Sequence, residues 1–233
     1  MSKFTLVMPY YRNPTMLELQ VKNWNSFSEK TKAALKIVLI DDCSPEPAED
    51  IFAACTIKKS LYRIDQDIVF NAHGARNLGM KQLRDEEWAL LTDMDVMVPE
   101  AAVQAILLKD FNPKHHYTME RMFEDGRPPK QHCNTILVQR RSFWRAGGYD
   151  EDFCGCYGGD GIFLRALEQT VSRQHWDDVI TMGFNGTVED CSTRGIDRKG
   201  PLKEEYIKRR DQKKQRNNMV PRNPLRFPWH QVY

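Results

Sequence analysis

Two aspartates one residue apart, Asp93 and Asp95, follow directly on the apolar run Trp88-Ala89-Leu90-Leu91-Thr92. Side chains alternate between the faces of a strand but splay at its end. Two carboxylates placed there can share one hard cation and a nucleotide's ribose. Mg2+ and Mn2+ prefer such oxygen ligands and keep sites for substrate phosphates. A solvated turn or a helix N-cap also accounts for a lone D-x-D.

A second acidic pair, Asp41-Asp42, closes the β-branched run Lys36 to Ile40. A third candidate, Asp160, follows Gly158-Gly159, which let a loop approach a substrate closely. Asp160 also precedes a helix, whose N-terminus tolerates an acid, so a plain N-cap explains it too. Where a hydroxyl attacks, one carboxylate must take its proton, and Asp160 fits that role. Asp150, Glu151 and Asp152 stand nearby in reserve. Haloacid-dehalogenase phosphatases also use D-x-D after a strand. Their pattern wants the first strand, and Thr or Val two residues beyond the second Asp, where this chain has Met97.

These groups need elements to hold them. Phe4 to Met8 reads as a first strand ended by Pro9, and Lys36 to Ile40 as a strand buried on both faces. Trp88 to Thr92, Thr135 to Val138 and Val179 to Met182 read as further strands, with a weaker one at Ile68-Val69-Phe70. Helices are predicted from Pro14 to about Phe27, with Thr15 and Glu18 as a capping box, and over Gly74–Leu83, Pro99–Leu108 and Ile162–Gln169. Trp144 to Gly161 reads as a shaped loop. The alternation implies an α/β fold with a mostly parallel sheet covered on both faces. Ligands of such sheets bind at the carboxyl ends of the strands, where Pro9-Tyr10-Tyr11-Arg12, Asp41-Asp42 and Asp93-Met94-Asp95 would meet.

The chain has 233 residues, 41% of them hydrophobic, which suits one domain with a real core. No stretch approaches the apolar length of a membrane span, and the N-terminal apolar run is too short for a signal peptide. A soluble cytoplasmic protein is the expectation. Cys43, Cys55, Cys133, Cys154, Cys156 and Cys191 show no CxxC spacing, which fits reduced thiols. Zinc on Cys154, Cys156, His132 and Cys133 is conceivable, but scattered core residues are the preferred reading. From Arg194 to Arg222, eleven Lys/Arg against four Asp/Glu give +7; the whole chain carries +2, so the remainder carries −5. Such a basic tail suits a diphosphate, an anionic glycan, a membrane surface or nucleic acid. We divide the chain into residues 1–190, holding the chemistry, and 191–233, a basic, Pro-containing lid or tail.

Five blocks in order carry a resemblance. Val7-Met8-Pro9-Tyr10-Tyr11-Arg12-Asn13 resembles the opening of family 2 glycosyltransferases and of the β-1,4-galactosyltransferase group. Val38 to Ser44 is similar to their "VDDGS" turn, with Cys43 for the usual glycine, and Asn71 to Gly79 to their "N…G…ARN.G" segment. Asp93-Met94-Asp95 takes the DXD place. Gly147 to Asp160 resembles "GGFDE.F.GWGGED" of those families and of chondroitin polymerases. The blocks span about residues 4 to 170.

The resemblance implies a GT-A (nucleotide-diphospho-sugar transferase) fold, Rossmann-like in three α/β/α layers. It implies a metal-dependent, inverting hexosyltransferase using Mn2+ or Mg2+ and a nucleotide-sugar donor, as a family-level guess a UDP-hexose, on a glycan or other hydroxyl acceptor. The main chain of Pro9, Tyr10 and Tyr11 would hold the base, with Arg12 near the diphosphate. Asp41 would accept from the base, Asp42 would brace the turn, and Arg76, with Asn77 beside it, would serve the base or diphosphate region. Asp93 would meet ribose and metal, and Asp95 the metal. Tyr157, Gly158, Gly159, Glu151 and Asp152 would face the acceptor, with Trp144 and Tyr149 as further stacking candidates. The family's second acid after Asp160 is replaced by Gly161, which leaves a non-catalytic nucleotide- or glycan-binding protein as the rival; a nucleic-acid binder acting through its tail ranks last. Relatives supply a metal-binding histidine after the last strand; Met182 to Asp190 has none, which leaves His175 as the candidate ligand. The stretch Lys208 to Arg216 could close over the donor diphosphate, and a solvated charged helix accounts for it equally well.

Overall fold

The computed structural model describes residues 3–184, 200–216, 219 and 224–233. In chain order the elements are β1 (Phe4–Tyr10), α1 (Pro14–Asn25), α2 (Glu29–Ala34), β2 (Leu35–Asp41), α3 (Glu49–Ala53), β3 (Lys58–Ile64), α4 (Ala72–Lys81), β4 (Trp88–Leu91), β5 (Val96–Met97) and α5 (Glu100–Leu108). There follow β6 (His115–Phe123), β7 (Ile136–Gln139), α6 (Arg140–Arg145), a 3-10 turn (Glu151–Phe153), α7 (Asp160–Glu168), β8 (Ser172–Gly183), α8 (Pro201–Gln215) and β9 (Trp229–Gln231).

Nine strands form one sheet in the order β5-β8-β6-β7-β4-β1-β2-β3-β9. Its centre, β3-β2-β1-β4, is parallel, and the ladders from β4 to β7, β7 to β6, β8 to β5 and β3 to β9 are antiparallel. Parallel strands are buried on both faces, and the sequence obeys: Phe4, Leu6 and Met8 of β1 and Ile37 and Leu39 of β2 join one core with α1 and α5, whereas Val7, Val38 and Ile40 join a second core with α4 and α7. Helix α4 lies against β1 because Gly79 lets it; a Cβ there would overlap the Val7 side chain. The parallel register aligns Tyr10, Asp41 and Arg63 at one edge of the sheet.

Local details depart from the sequence reading. Helix α1 is capped by Asn13, whose side chain accepts from the Met16 amide at 3.3 Å, not by Thr15. Pro14 has no N–H and fits the first helical position, which puts the cap one residue before it. The third parallel strand is Lys58–Ile64 and not the Ile68–Phe70 stretch, where Val69 is exposed. Strand β6 runs through His115 to Phe123 between β7 and β8, and α6 occupies Arg140–Arg145 at the start of the expected loop.

The C-terminal strand β9 pairs antiparallel with β3, and the Tyr233 carbonyl accepts from the Leu61 amide at 2.9 Å. Among the described residues no helix is long and apolar enough to cross a membrane. The 190/191 division, the Asn185–Asp190 segment, Cys191 and the first part of the expected tail lie outside the described residues.

Candidate active site

Three separate segments converge beyond the carboxyl end of β4. Helix α4 brings His73 and Arg76, the turn after β4 brings Asp93, and the N-terminus of α7 brings Asp160. The Arg76 guanidinium is 3% exposed; it pairs with Asp93 through Nη2 and lies 3.5 Å from Asp160 Oδ1 through Nη1. Its planar fork can serve two carboxylates at once. Beneath it lies the Tyr149 ring, 5.1 Å from the guanidinium carbon.

Asp93 also accepts from Asn134 Nδ2 at 3.0 Å, and His132 Nε2 stands 3.5 Å from Oδ2. Burial alone would raise the Asp93 pKa, but Arg76, His132 and Asn134 outweigh it and hold the carboxyl below the ordinary range. Burial likewise works against ionised Asp160, and His73, Arg76 and His132 together hold that carboxyl well below the usual value. Both acids are thus anions at neutral pH. His132 is pushed down chiefly by burial, with Asp93 opposing, and its Nδ1 sits 2.9 Å from Thr135 Oγ1.

Asp160 opens α7 directly after Gly159, whose φ of 107° is left-handed. Gly158 turns at φ 137° against the Tyr206 ring of α8. A side chain strains at either position.

Asp95 lies one turn further on. Its carbonyl accepts from the Phe184 amide at 2.9 Å, tying the motif to the end of β8, and its charge acts on the buried Arg121. Across the sheet edge, Asp41 Oδ1 accepts from the Ser44 amide at 2.8 Å, while Oδ2 accepts from the Ala48 amide at 3.0 Å and from Arg63 at 2.7 Å. Asp42 is buried, accepts from Asn71 Nδ2 at 2.9 Å, and is pushed up to about 7 by desolvation. Pro9 is half-buried at the end of β1, and the Tyr10 hydroxyl donates to the Glu46 carbonyl. The Tyr11 hydroxyl donates to Asp67, and Arg12 is exposed at φ 47° with its amide donating to Ser44 Oγ.

Other expected residues do different things. Asn77 is buried; its side chain donates to the Tyr149 carbonyl and Glu151 and accepts from the Tyr149 amide. Glu151 accepts from the Leu225 and Arg226 amides, and Asp152 pairs with Lys213 and Arg226. Arg209, in the stretch expected over the diphosphate, donates to the Asp152 and Cys154 carbonyls, so this part of α8 grips the 150–154 loop. Tyr149 is buried between His73 and Phe163, a position for core packing, whereas Tyr157 is half-buried with its edge to Phe70. His175 meets Thr118, Gln131 and Glu120. The sequence reading did not place His73, His132 or Asn134 at the site. A histidine inside the "N…G…ARN.G" segment was the available signal for the first; nothing local marked the other two.

Among the described residues no group of three or more His, Cys, Asp or Glu converges to hold a metal ion. The donors present nevertheless suit Mg2+ or Mn2+, which one or two carboxylates plus substrate phosphates commonly hold. Asp93 is kept ionised, and Asp95 follows at the same strand end.

No family model and no curated protein matches the sequence. Solved structures do match its fold. S. aureus TarS (residues 1–349) aligns at 15% identity and a TM-score of 0.63, over 78% of this chain and 60% of that one. A mannosyltransferase from Pyrobaculum calidifontis, solved with GDP-Man and Mn2+, aligns at 14% and 0.61, over 83% and 58%. The catalytic domain of Drosophila β1,4-galactosyltransferase 7, solved with xylobiose, aligns at 13% and 0.59, over 90% and 80%. The chain has the GT-A fold of these glycosyltransferases. It spans about three fifths of the length of the first two.

Proposed function

We propose that this protein transfers a hexose, with inversion, from a nucleotide-diphospho-sugar to a hydroxyl acceptor. The observation that carries the reading is the junction of Asp93, Arg76 and Asp160 at the carboxyl edge of a GT-A sheet. A UDP-sugar is the first donor to try, since TarS has been solved with UDP-GlcNAc. The acceptor oxygen bonds to the sugar C1 as the bond to the diphosphate breaks; the hydroxyl proton passes to Asp160 and the diphosphate leaves with the electron pair. Arg76 supplies positive charge beside the departing group. Asp93 and Asp95 are the residues to hold a divalent cation, which would add charge compensation for the phosphates.

One observation favours a second reading, donor binding without turnover. Asp160 is paired with a guanidinium and an imidazole, which weakens it as a base. Turnover then requires Arg76 to turn toward the diphosphate and release it.

A thermal-shift screen of nucleotide-sugars with and without Mn2+ identifies the donor, because a ligand of the folded state raises the melting temperature. Chromatography of released nucleotide follows with the preferred donor. The transferase reading expects Mn2+-dependent release that Asp95→Ala and Asp160→Asn abolish. Donor binding without release in the native protein would establish the second reading; no donor stabilising it would sink both.

A further inference from the structure

We infer that His73 is a positioning residue for Asp160, holding the same carboxylate oxygen that Arg76 meets; the inference deepens the proposed role of Asp160 and rests on it. His73 is 5% exposed, and its Nε2 lies 3.4 Å from Asp160 Oδ1. Its ring stacks on Tyr149, centroids 5.1 Å apart and planes 22° apart. On the α7 side, a Cβ at Gly159 would overlap Cε1 of His73. The imidazole is therefore fixed by a ring below and a bare backbone beside it, with one nitrogen aimed at the carboxylate.

The other nitrogen supplies the second argument. His73 Nδ1 is buried and has no hydrogen-bond partner among the described residues. An orphaned buried acceptor costs stability. A phenylalanine would keep the stack on Tyr149 without that cost. A histidine held here at a cost points to use of Nε2, which carries the proton because it faces a carboxylate. With Arg76 on the same oxygen, Oδ1 meets two partners among the described residues, and Oδ2 is the oxygen we assign to face a hydroxyl. When Arg76 turns to a diphosphate, His73 remains as the donor that keeps the carboxylate in place.

The carboxyl is faced by His73 and Arg76 from α4, and by His132, Cys133 and Tyr149. The test isolates His73 from these. The Asp160 carboxyl is followed by 13C NMR against pH in the full chain, with Asp160→Asn assigning the resonance. His73→Phe, which keeps the ring and loses the donor, is expected to raise the midpoint by about 1 pH unit or more. His73→Gln, which keeps an Nε donor, is expected to return most of that shift. An unmoved midpoint in His73→Phe overturns the inference, and so does a shift that Gln does not reverse. Should His73→Phe not fold, His73→Leu, which also loses the donor, must raise the midpoint in the same direction. Turnover is read separately: wild-type nucleotide release by Asp160→Asn would defeat the role of Asp160 as base while leaving the NMR result standing.

Discussion

Arg76 Nη1 lies 3.5 Å from Asp160 Oδ1 while the other arm of the same guanidinium holds Asp93. One cation thus joins the strand-end motif to the N-terminus of α7. Its positive charge is strengthened by Asp93, Tyr149 and Asp160 against the opposing effect of burial. Arg76→Met removes that cation and leaves two acids facing each other. Unfolding in urea should show a loss of about 3 kcal/mol, the low end for a broken buried pair because both carboxylates are partly open. Donor-induced stabilisation should vanish in the same variant. Arg76→Lys should recover part of the stability and little of the donor response, since an ammonium cannot serve both acids as a fork does. Full recovery by Lys would show that charge alone matters there.

Two buried groups should tilt stability with pH in opposite directions. Asp42 titrates near 7 in the folded state, against about 3.9 unfolded. Below pH 4 both states hold the proton; between about 4 and 7 the unfolded state releases it first, so stability falls as pH rises. His116 is fully buried, both ring nitrogens lack partners among the described residues, and burial lowers it to about 4. Its unfolded form gains a proton below about 6.5, so stability falls as pH drops through that window. Asp42→Asn keeps a carbonyl for Asn71 and removes only the first slope. The difference between this variant and the native protein, measured by denaturation, should grow with pH up to about 7 and then level. A pH-independent difference would show that Asp42 is not held neutral.

Much of this fold is legible in the sequence because its centre is made of runs that have few alternatives. Lys36 to Ile40 and Trp88 to Leu91 are apolar on both faces, and only a covered parallel strand suits them. The acids after each run mark the carboxyl edge of the sheet. What was not legible came from tertiary context. Strand β6 carries His115, His116, Glu120 and Arg121, and β3 opens with two lysines; their neighbours in the sheet, not their own side chains, make them strands. The same holds at the site. Asp41 and Asp42 look alike in sequence, yet one is saturated by amides and Arg63 and the other is buried against Asn71. His132 reaches Asp93 from 39 residues further along the chain, in a polar loop that has no periodicity to read.

Asp41 offers a direct test of turn bracing against ligand recognition. Its two oxygens accept from two amides and one guanidinium at the β2–α3 connection. Hydrogen bonds to a charged group contribute about 1.5–3 kcal/mol each, and they are not additive. Asp41→Ala should therefore destabilise the protein by about 3 kcal/mol and lower the melting temperature before any ligand is added. If its main role is to recognise the donor base, calorimetry will instead find weaker donor binding in a variant of nearly native stability.

Lys213 should govern how α8 sits on the 150–154 loop. It is itself buried, pairs with the buried Asp150, and lies 2.8 Å from Asp152 Oδ2. The rest of α8 is polar around most of its circumference, with Tyr206 its one buried apolar anchor, so propensity alone does not dock it. Lys213→Met keeps the length of the side chain and strands the Asp150 carboxylate. A loss of about 3 kcal/mol or more is expected, as for one partner removed from a buried ion pair, together with faster proteolysis at the arginines and lysines of α8. Adding Asp150→Asn to Lys213→Met should recover part of the loss, since the stranded charge is gone. No recovery in the double variant would mean that the stability comes from the ammonium over the Phe153 ring, 5.4 Å from its centroid, and not from Asp150.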